Sequence, residues 1–293
     1  MKVLILGANG QIGRSISEIF SPNLKQFKYS KDQLSILDNE NLLEVFKKID
    51  PDVVINCAAY TKVDLAEKER EKANQINYKA VKNLVFLSNK FGSTLIHFST
   101  DYVYDGKKNT PYLESDKTVP LNFYGVTKNS GDEVIIKNCK KYFIFRLSGV
   151  FSPYGENFVK SILRLRDKKS LKVVNDQFLK PTSARMIATF LFENLKKKKF
   201  ETSPYGLYNF SFDDDPMSWN DFTKLIFEQA IFMKLVKKIP EVVTTSSKEF
   251  NAQAIRPSYS VLDNSKVKQN FILPKVGLKE VLKKDLPLIF SKL

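Results

Sequence analysis

Short apolar runs alternate with longer amphipathic stretches through the first half of the chain. Val3 to Leu6, Gln26 to Ser30, Val53 to Cys57, Thr94 to Phe98 and Tyr142 to Leu147 each read as a buried strand. Residues 11–20, 66–91 and 122–138 between them carry helical patterns. Apolar strands separated by helices predict an α/β fold with a doubly wound parallel (Rossmann) sheet. Beyond about residue 150 the pattern becomes irregular. It mixes a helical stretch at 156–167, a strand at 171–175, and turn clusters at Ser203-Pro204-Tyr205-Gly206 and Asp213-Asp214-Asp215-Pro216. A helix from Ser218 to Phe232 follows, with Ser218 as N-cap and Asp221 three residues on. The pattern predicts one unit over 1–150, rejoined by segments at roughly 175–203, and a smaller α/β lobe formed mainly by 151–293.

Composition narrows the class. With 293 residues and 43% hydrophobic side chains, the chain is long enough for one large α/β unit and an attached lobe. No apolar run approaches the roughly 20 residues that span a bilayer, and Met1-Lys2-Val3-Leu4 opens a strand, so a cytoplasmic protein with no membrane partner is expected. The two cysteines, Cys57 and Cys139, belong to no pair or ligand cluster, which predicts neither a disulfide framework nor a metal site. A formal charge of +15 raises the question of nucleic acid. The lysines are scattered, however, and the one dense run, Lys196 to Lys199, closes an amphipathic helix pattern where cations suit the dipole and solvent. No nucleic-acid partner is expected; a basic surface suits a small anionic substrate.

Two motifs carry chemistry. Directly after the first strand stands GANGQIG, residues 7–13, in which Gly7, Gly10 and Gly13 close a tight turn and open a helix. Glycines there let the backbone approach a pyrophosphate, which free N–H groups and the helix dipole attract. At the end of the second strand, where an acidic residue would take the adenosine ribose of NAD, Ser30 and Lys31 stand instead. That favours NADPH, while the adjacent Asp32 keeps NADH open. The second motif is Tyr124-Gly125-Val126-Thr127-Lys128, which puts a phenol and an ammonium four residues apart on one helix face. A nearby cation lowers a tyrosine pKa and fits the phenol for proton transfer to a carbonyl. Upstream, Ser99 and Thr100 follow a buried strand at the sheet edge where such folds bind ligands, and Thr100 is placed to bond a substrate oxygen. The only histidine, His97, reads as a core or supporting residue, and Trp219 as packing.

Together these motifs resemble the extended short-chain dehydrogenase/reductases, in particular those that reduce nucleotide-linked keto sugars. NCAAYTKVDLAE (56–67), INYKAVKNL (76–84), FSTDYVYDG (98–106), PLNFYGVTK (120–128), ENFVKSILRL (156–165), VVNDQFLKPTSA (173–184) and RPSYSVLD (256–263) extend the resemblance over nearly the whole chain. It implies that Thr100, Tyr124 and Lys128 form the catalytic triad. Gly7, Asn9, Gly10, Gln11, Ile12, Gly13, Ser30, Lys31, Ala58, Ala59, Tyr60, Thr61, Asn77, Tyr124 and Lys128 would surround the dinucleotide. Thr100, Asp101, Tyr102, Ser148, Asn157, Pro181, Thr182 and Arg256 would meet the substrate, with Arg256 near its diphosphate. The implied reaction is NAD(P)H-dependent reduction of the 4-keto group of a nucleotide-diphosphate 6-deoxy sugar, with a homodimer as the candidate assembly. An epimerase or dehydratase of the same superfamily is one alternative, although no further acid–base group stands out beside Thr100. A non-catalytic NADP-binding regulatory subunit is another.

Three positions depart from the family pattern. Gly149 follows Ser148 where a tryptophan is usual, Leu179-Lys180 replaces Gly-x before Pro181-Thr182, and Tyr259 replaces an asparagine. Loss of the indole predicts a roomier pocket at Gly149.

Overall fold

The computed structural model describes residues 1–20 and 24–293. Six parallel strands, β1 Lys2–Leu6, β2 Lys25–Tyr29, β3 Val53–Asn56, β4 Thr94–Thr100, β5 Tyr142–Leu147 and β6 Gly206–Asn209, form the central sheet. Their spatial order is 2-1-3-4-5-6. The order reverses at β1, which pairs with β2 on one side and β3 on the other, so the crevice lies beyond the carboxyl ends of β1 and β3. β4 runs two residues past the predicted strand and carries Ser99 and Thr100 in register with Arg146 and Leu147.

Helices bury both faces. On one face Gln11–Ile19 and Ala184–Lys196 cover a core with Val3, Ile5, Ile55, Ile96, Phe143 and Phe145. On the other, Asn39–Ile49 and Ala80–Phe91 cover Leu4, Val54, Leu95 and Ile144. The helical segment predicted at 66–91 breaks after Ala66, resumes at Arg70 and contains a π turn at Gln75–Lys79. The helix Phe123–Asn138 is capped by Asn122, whose Oδ1 accepts the Gly125 N–H at 2.8 Å.

Segments that rejoin the sheet reach beyond the 175–203 read from sequence. β6 adds the sixth strand directly after the Ser203–Gly206 turn cluster, and Val267 and Phe271 pack in the same core. Four residues of strand at a sheet edge give too short a period-2 signal to read in advance. The remaining lobe centres on the helices Phe158–Arg164, Trp219–Phe232 and Leu278–Phe290, with the parallel pair Ser170–Val174 and Glu241–Thr245. Ser218 and Asp221 form a reciprocal capping box on the second of these helices. Among the described residues, no helix is long and apolar enough to cross a membrane, and no histidine, cysteine or carboxylate cluster could hold a metal ion.

Candidate active site

The turn after β1 requires its glycines. Gly7 adopts φ +75, and a Cβ there would lie 2.6 Å from the Ala58 nitrogen. A Cβ on Gly13 would lie 2.4 Å from the Gly7 oxygen. Gly10 caps the helix Gln11–Ile19 with no side chain over its N-terminus, leaving the end of the helix dipole open to an anion. Gly10, Gln11 and Ile12 line one end of a cleft of about 330 Å³, together with Ala58, Ala59 and Thr61 from the loop after β3. Gly7, Asn9, Gly10, Ala58 and Ala59 also line a neighbouring cavity of about 200 Å³ whose far side is Lys31 and Leu34 to Leu37. This cradle fits a dinucleotide. Ser30 is buried, with its N–H donated to Gln33 Oε1, so Lys31 is the member of that pair facing the cavity.

Two residues expected at the cofactor stand behind it. The Asn77 amide is buried; its Oδ1 accepts the Tyr60 N–H at 2.9 Å, and its Nδ2 donates to the Tyr60 carbonyl and to Thr127 Oγ1. The Tyr60 ring packs with Ala66 and Ala73, and its hydroxyl donates to Glu69. Neither lines the cleft. Together they fix the Ala58–Thr61 loop against the helix Phe123–Asn138.

Thr100, Asp101, Tyr102, Tyr124 and Lys128 meet on the cleft floor. The Thr100 hydroxyl donates to Asp101 Oδ1 at 3.1 Å and accepts the Tyr102 N–H at 3.2 Å, on the same floor as Tyr124. Tyr102 packs edge-on against Tyr124, with ring centroids 6.0 Å apart. Burial pushes the Tyr124 phenol upward; Thr100 opposes this, while Asp101, Tyr102 and Asp132 reinforce it. The expectation that Lys128 would lower the phenol is therefore corrected. The Lys128 amine turns instead to the Phe98 carbonyl at 2.6 Å and to His97 Nε2 at 3.1 Å. Burial lowers Lys128 to about 8, against the raising effect of Asp132.

Beside Thr100 stands a buried carboxyl, contrary to the expectation that no further acid–base group would be found there. Burial pushes Asp101 up to about 6, while hydrogen bonds from Ser148, Ser260 and Thr100 hold it down. Ser148 itself is buried behind Asp101, donating to Oδ2 at 2.6 Å.

The substrate side differs most from the sequence reading. Its wall is Gly149, Val150, Gln177, Phe178, Leu179, Trp219, Pro257 and Ser260. Asn157, Pro181 and Thr182 do not line it. Asn157 caps its own helix and donates to Gln11 Oε1 at 3.1 Å, while Pro181 and Thr182 are buried. Arg256 forms a two-pronged ion pair with Asp64, at 2.7 and 3.2 Å, so its guanidinium fork is already engaged. The roomier pocket at Gly149 is also corrected. A Cβ there would lie 2.6 Å from Leu179 Cδ1 and 3.5 Å from Trp219 Cη2, so these two side chains occupy the space. Trp219 was read as packing. It does pack on Phe158, with tilted rings whose centroids are 4.3 Å apart, but it also presents an indole to the cleft. No local signal marks it, because 70 residues separate it from Gly149.

Residues 1–287 match the RmlD substrate binding domain family. The chain belongs to this family. It is 37% identical to the dTDP-4-dehydrorhamnose reductase of Shigella flexneri, over 96% of this chain and 97% of that protein. It is 33% identical to the spore coat polysaccharide biosynthesis protein SpsK of Bacillus subtilis, over 94% and 93%. The crystal structure of the Bacillus anthracis dTDP-4-dehydrorhamnose reductase in complex with NADP superposes with a TM-score of 0.89 at 35% identity, covering 98% of this chain and 99% of that one. The Thermus thermophilus UDP-glucose 4-epimerase shares the fold at 19% identity and a TM-score of 0.78. The family match agrees with an extended short-chain reductase.

Proposed function

We propose that this protein reduces the 4-keto group of dTDP-4-dehydrorhamnose with NADPH. Support comes from the similar reductases and from one observation on this chain: Tyr124 and Thr100 share the cleft floor, at the junction of the glycine cradle and the Trp219–Leu179 wall. Gly7, Gly10 and Gly13 with the open helix N-terminus would hold the pyrophosphate, and Lys31 an adenosine 2′-phosphate. When bound, the dinucleotide supplies the hydride. Tyr124 keeps its proton at neutral pH because burial raises its pKa, which suits a donor to the carbonyl oxygen. Thr100, whose hydroxyl proton rests on Asp101, would orient that oxygen by turning the proton to it. Lys128, four residues along the same helix on the cleft floor, would hold the nicotinamide ribose. The Trp219 indole and Leu179 shape the wall against which the sugar packs.

The test is to incubate the purified protein with NADPH and a panel of nucleotide-linked 4-keto sugars, following loss of NADPH absorbance and identifying the product by NMR. Consumption with dTDP-4-dehydrorhamnose and a product reduced at C4 is the expected result. Tight NADPH binding without consumption of any sugar would overturn the reductase reading in favour of a regulatory subunit.

A further inference from the structure

The loop 152–157 leads from the cleft wall into the lobe helix Phe158–Arg164, and it lies on the first turn of the helix Gln11–Ile19. Gly155, at φ +61, comes so close that a Cβ there would lie 3.2 Å from Gln11 Cγ. One turn along the helix, the Arg14 guanidinium stands over the Tyr154 ring, 5.4 Å from its centroid. Lys292, near the end of the chain, lies 4.0 Å from the centroid of the same ring. A glycine and two cations thus seat the loop on the helix.

The hydrogen bonds decide which way the Gln11 amide turns. Asn157 Oδ1 accepts the Lys160 N–H at 3.2 Å as the cap of its helix, so its Nδ2 is the end that reaches back. That Nδ2 donates to the Ser152 carbonyl at 2.9 Å and to Gln11 Oε1 at 3.1 Å. The Ser152 hydroxyl, which also serves the Tyr154 carbonyl at 2.8 Å, lies 3.1 Å from the same Gln11 oxygen. With its oxygen engaged by the lobe, Gln11 has only N–H groups to offer the cleft that it lines, and its Nε2 has no acceptor among the described residues. Gly10 beside it leaves the helix N-terminus uncovered, so both sets of donors stand at one end of the cleft.

We propose that Asn157 and Ser152 are positioning residues for the cofactor, holding the Gln11 amide with its Nε2 toward the dinucleotide pyrophosphate, so that lobe loop and NADPH bind cooperatively. The proposal deepens the reading above and rests on it for the place of the pyrophosphate. An unheld glutamine would present its oxygen as readily as its nitrogen and would lose rotamer freedom on meeting a phosphate. Held by the lobe, it meets the anion already turned. By linkage, NADPH must in turn strengthen the hold of Gln11 on the loop. The loop follows directly on Gly149 and Val150, so a filled cradle steadies the wall as well.

Fluorescence titration of the whole protein with NADPH tests this. Gln11→Ala should raise Kd about 10-fold, the loss of one hydrogen bond to a charged group. Asn157→Ser keeps an oxygen for the helix cap and loses the NH₂, and should raise Kd by about 3- to 10-fold although Asn157 does not line the cleft. The double variant should bind within about 2-fold of Gln11→Ala, because the two residues act as one unit. Adenosine 2′-monophosphate, which has no pyrophosphate, should bind all these proteins equally. A merely structural Asn157 would weaken both ligands alike or add its loss to that of Gln11→Ala. Either result, or an Asn157→Ser protein that binds NADPH as the parent does, would overturn the proposal. Should Asn157→Ser fail to fold, amide exchange decides: NADPH should slow exchange across residues 152–160 in the parent and clearly less in Gln11→Ala, and equal slowing would contradict the coupling. A parent that binds NADPH but reduces no sugar would fail the reductase reading alone.

Discussion

The floor and the wall of the cleft are built in opposite ways. On the floor, Thr100, Asp101 and Tyr102 leave one strand end, Tyr124 and Lys128 share one helix, and buried neighbours engage its polar groups, Ser148 at Asp101 and His97 at Lys128. The wall draws on Gly149, Phe178, Leu179, Trp219 and Ser260, which lie on separate loops and a lobe helix. Its contacts are mainly apolar, and Phe178 is 38% exposed. A floor locked by hydrogen bonds tolerates little change, because removing one partner leaves a buried polar group unsatisfied. An apolar wall can exchange side chains provided volume is kept, as when Leu179 and Trp219 occupy the space beside Gly149. On the proposed function, reaction type resides in the floor and substrate choice in the wall.

The sharpest way to break this division is on the floor. Tyr124→Phe keeps the ring and loses the proton, so turnover should fall by about 10²–10⁴-fold while NADPH affinity, measured by fluorescence titration, stays unchanged. Retention of more than about a tenth of the activity would remove Tyr124 as proton donor. On the wall, Gly149→Trp should lower kcat/KM for dTDP-4-dehydrorhamnose at least about tenfold. A side chain there meets Leu179 and Trp219 and needs a left-handed backbone, φ +53, at a strain of about 1–3 kcal/mol. Adding Leu179→Gly should restore only part of the loss, since Trp219 remains; full recovery would show that Leu179 alone fills the site.

The floor should also register in stability. Asp101 is raised from 3.8 to about 6, so the folded state keeps a proton that the unfolded chain releases across that window. Its contribution is therefore present below about 4 and is lost as pH rises through 6, by at most about 3 kcal/mol. Denaturant midpoints between pH 4 and 7 should fall less steeply with rising pH in Asp101→Asn than in the parent. An equal slope would place the ionisation elsewhere. The smallest effect is expected at exposed Lys31, where Lys31→Ala should reduce the preference for NADPH over NADH by up to about 5-fold, the worth of one exposed ion pair. An unchanged ratio of dissociation constants would show that Lys31 does not read the phosphate.

The same contrast explains what could be read in advance. The glycine turn and the Tyr124–Lys128 pair announce themselves because spacing within one element fixes which residues share a face. The five first strands are legible for the same reason. Trp219 as a wall, the engagement of Arg256 by Asp64 and the contact of Asn157 with Gln11 depend on residues 70 or more apart, which no local period encodes. Asn77 was placed beside the cofactor by resemblance, whereas the π turn around it directs its amide to Tyr60 and Thr127. The direction of the Lys128 amine was missed because four-residue spacing fixes a shared face and says nothing of a third partner, His97, on the strand below.

Steady-state kinetics of Trp219→Ala with saturating NADPH and varied dTDP-4-dehydrorhamnose test the division between floor and wall most directly. Loss of an aromatic contact worth about 0.5–1.5 kcal/mol should raise KM by about 2- to 12-fold while kcat stays within about 2-fold of the parent. A collapse of kcat with KM unchanged would contradict the account, because it would place Trp219 with the chemistry of the floor.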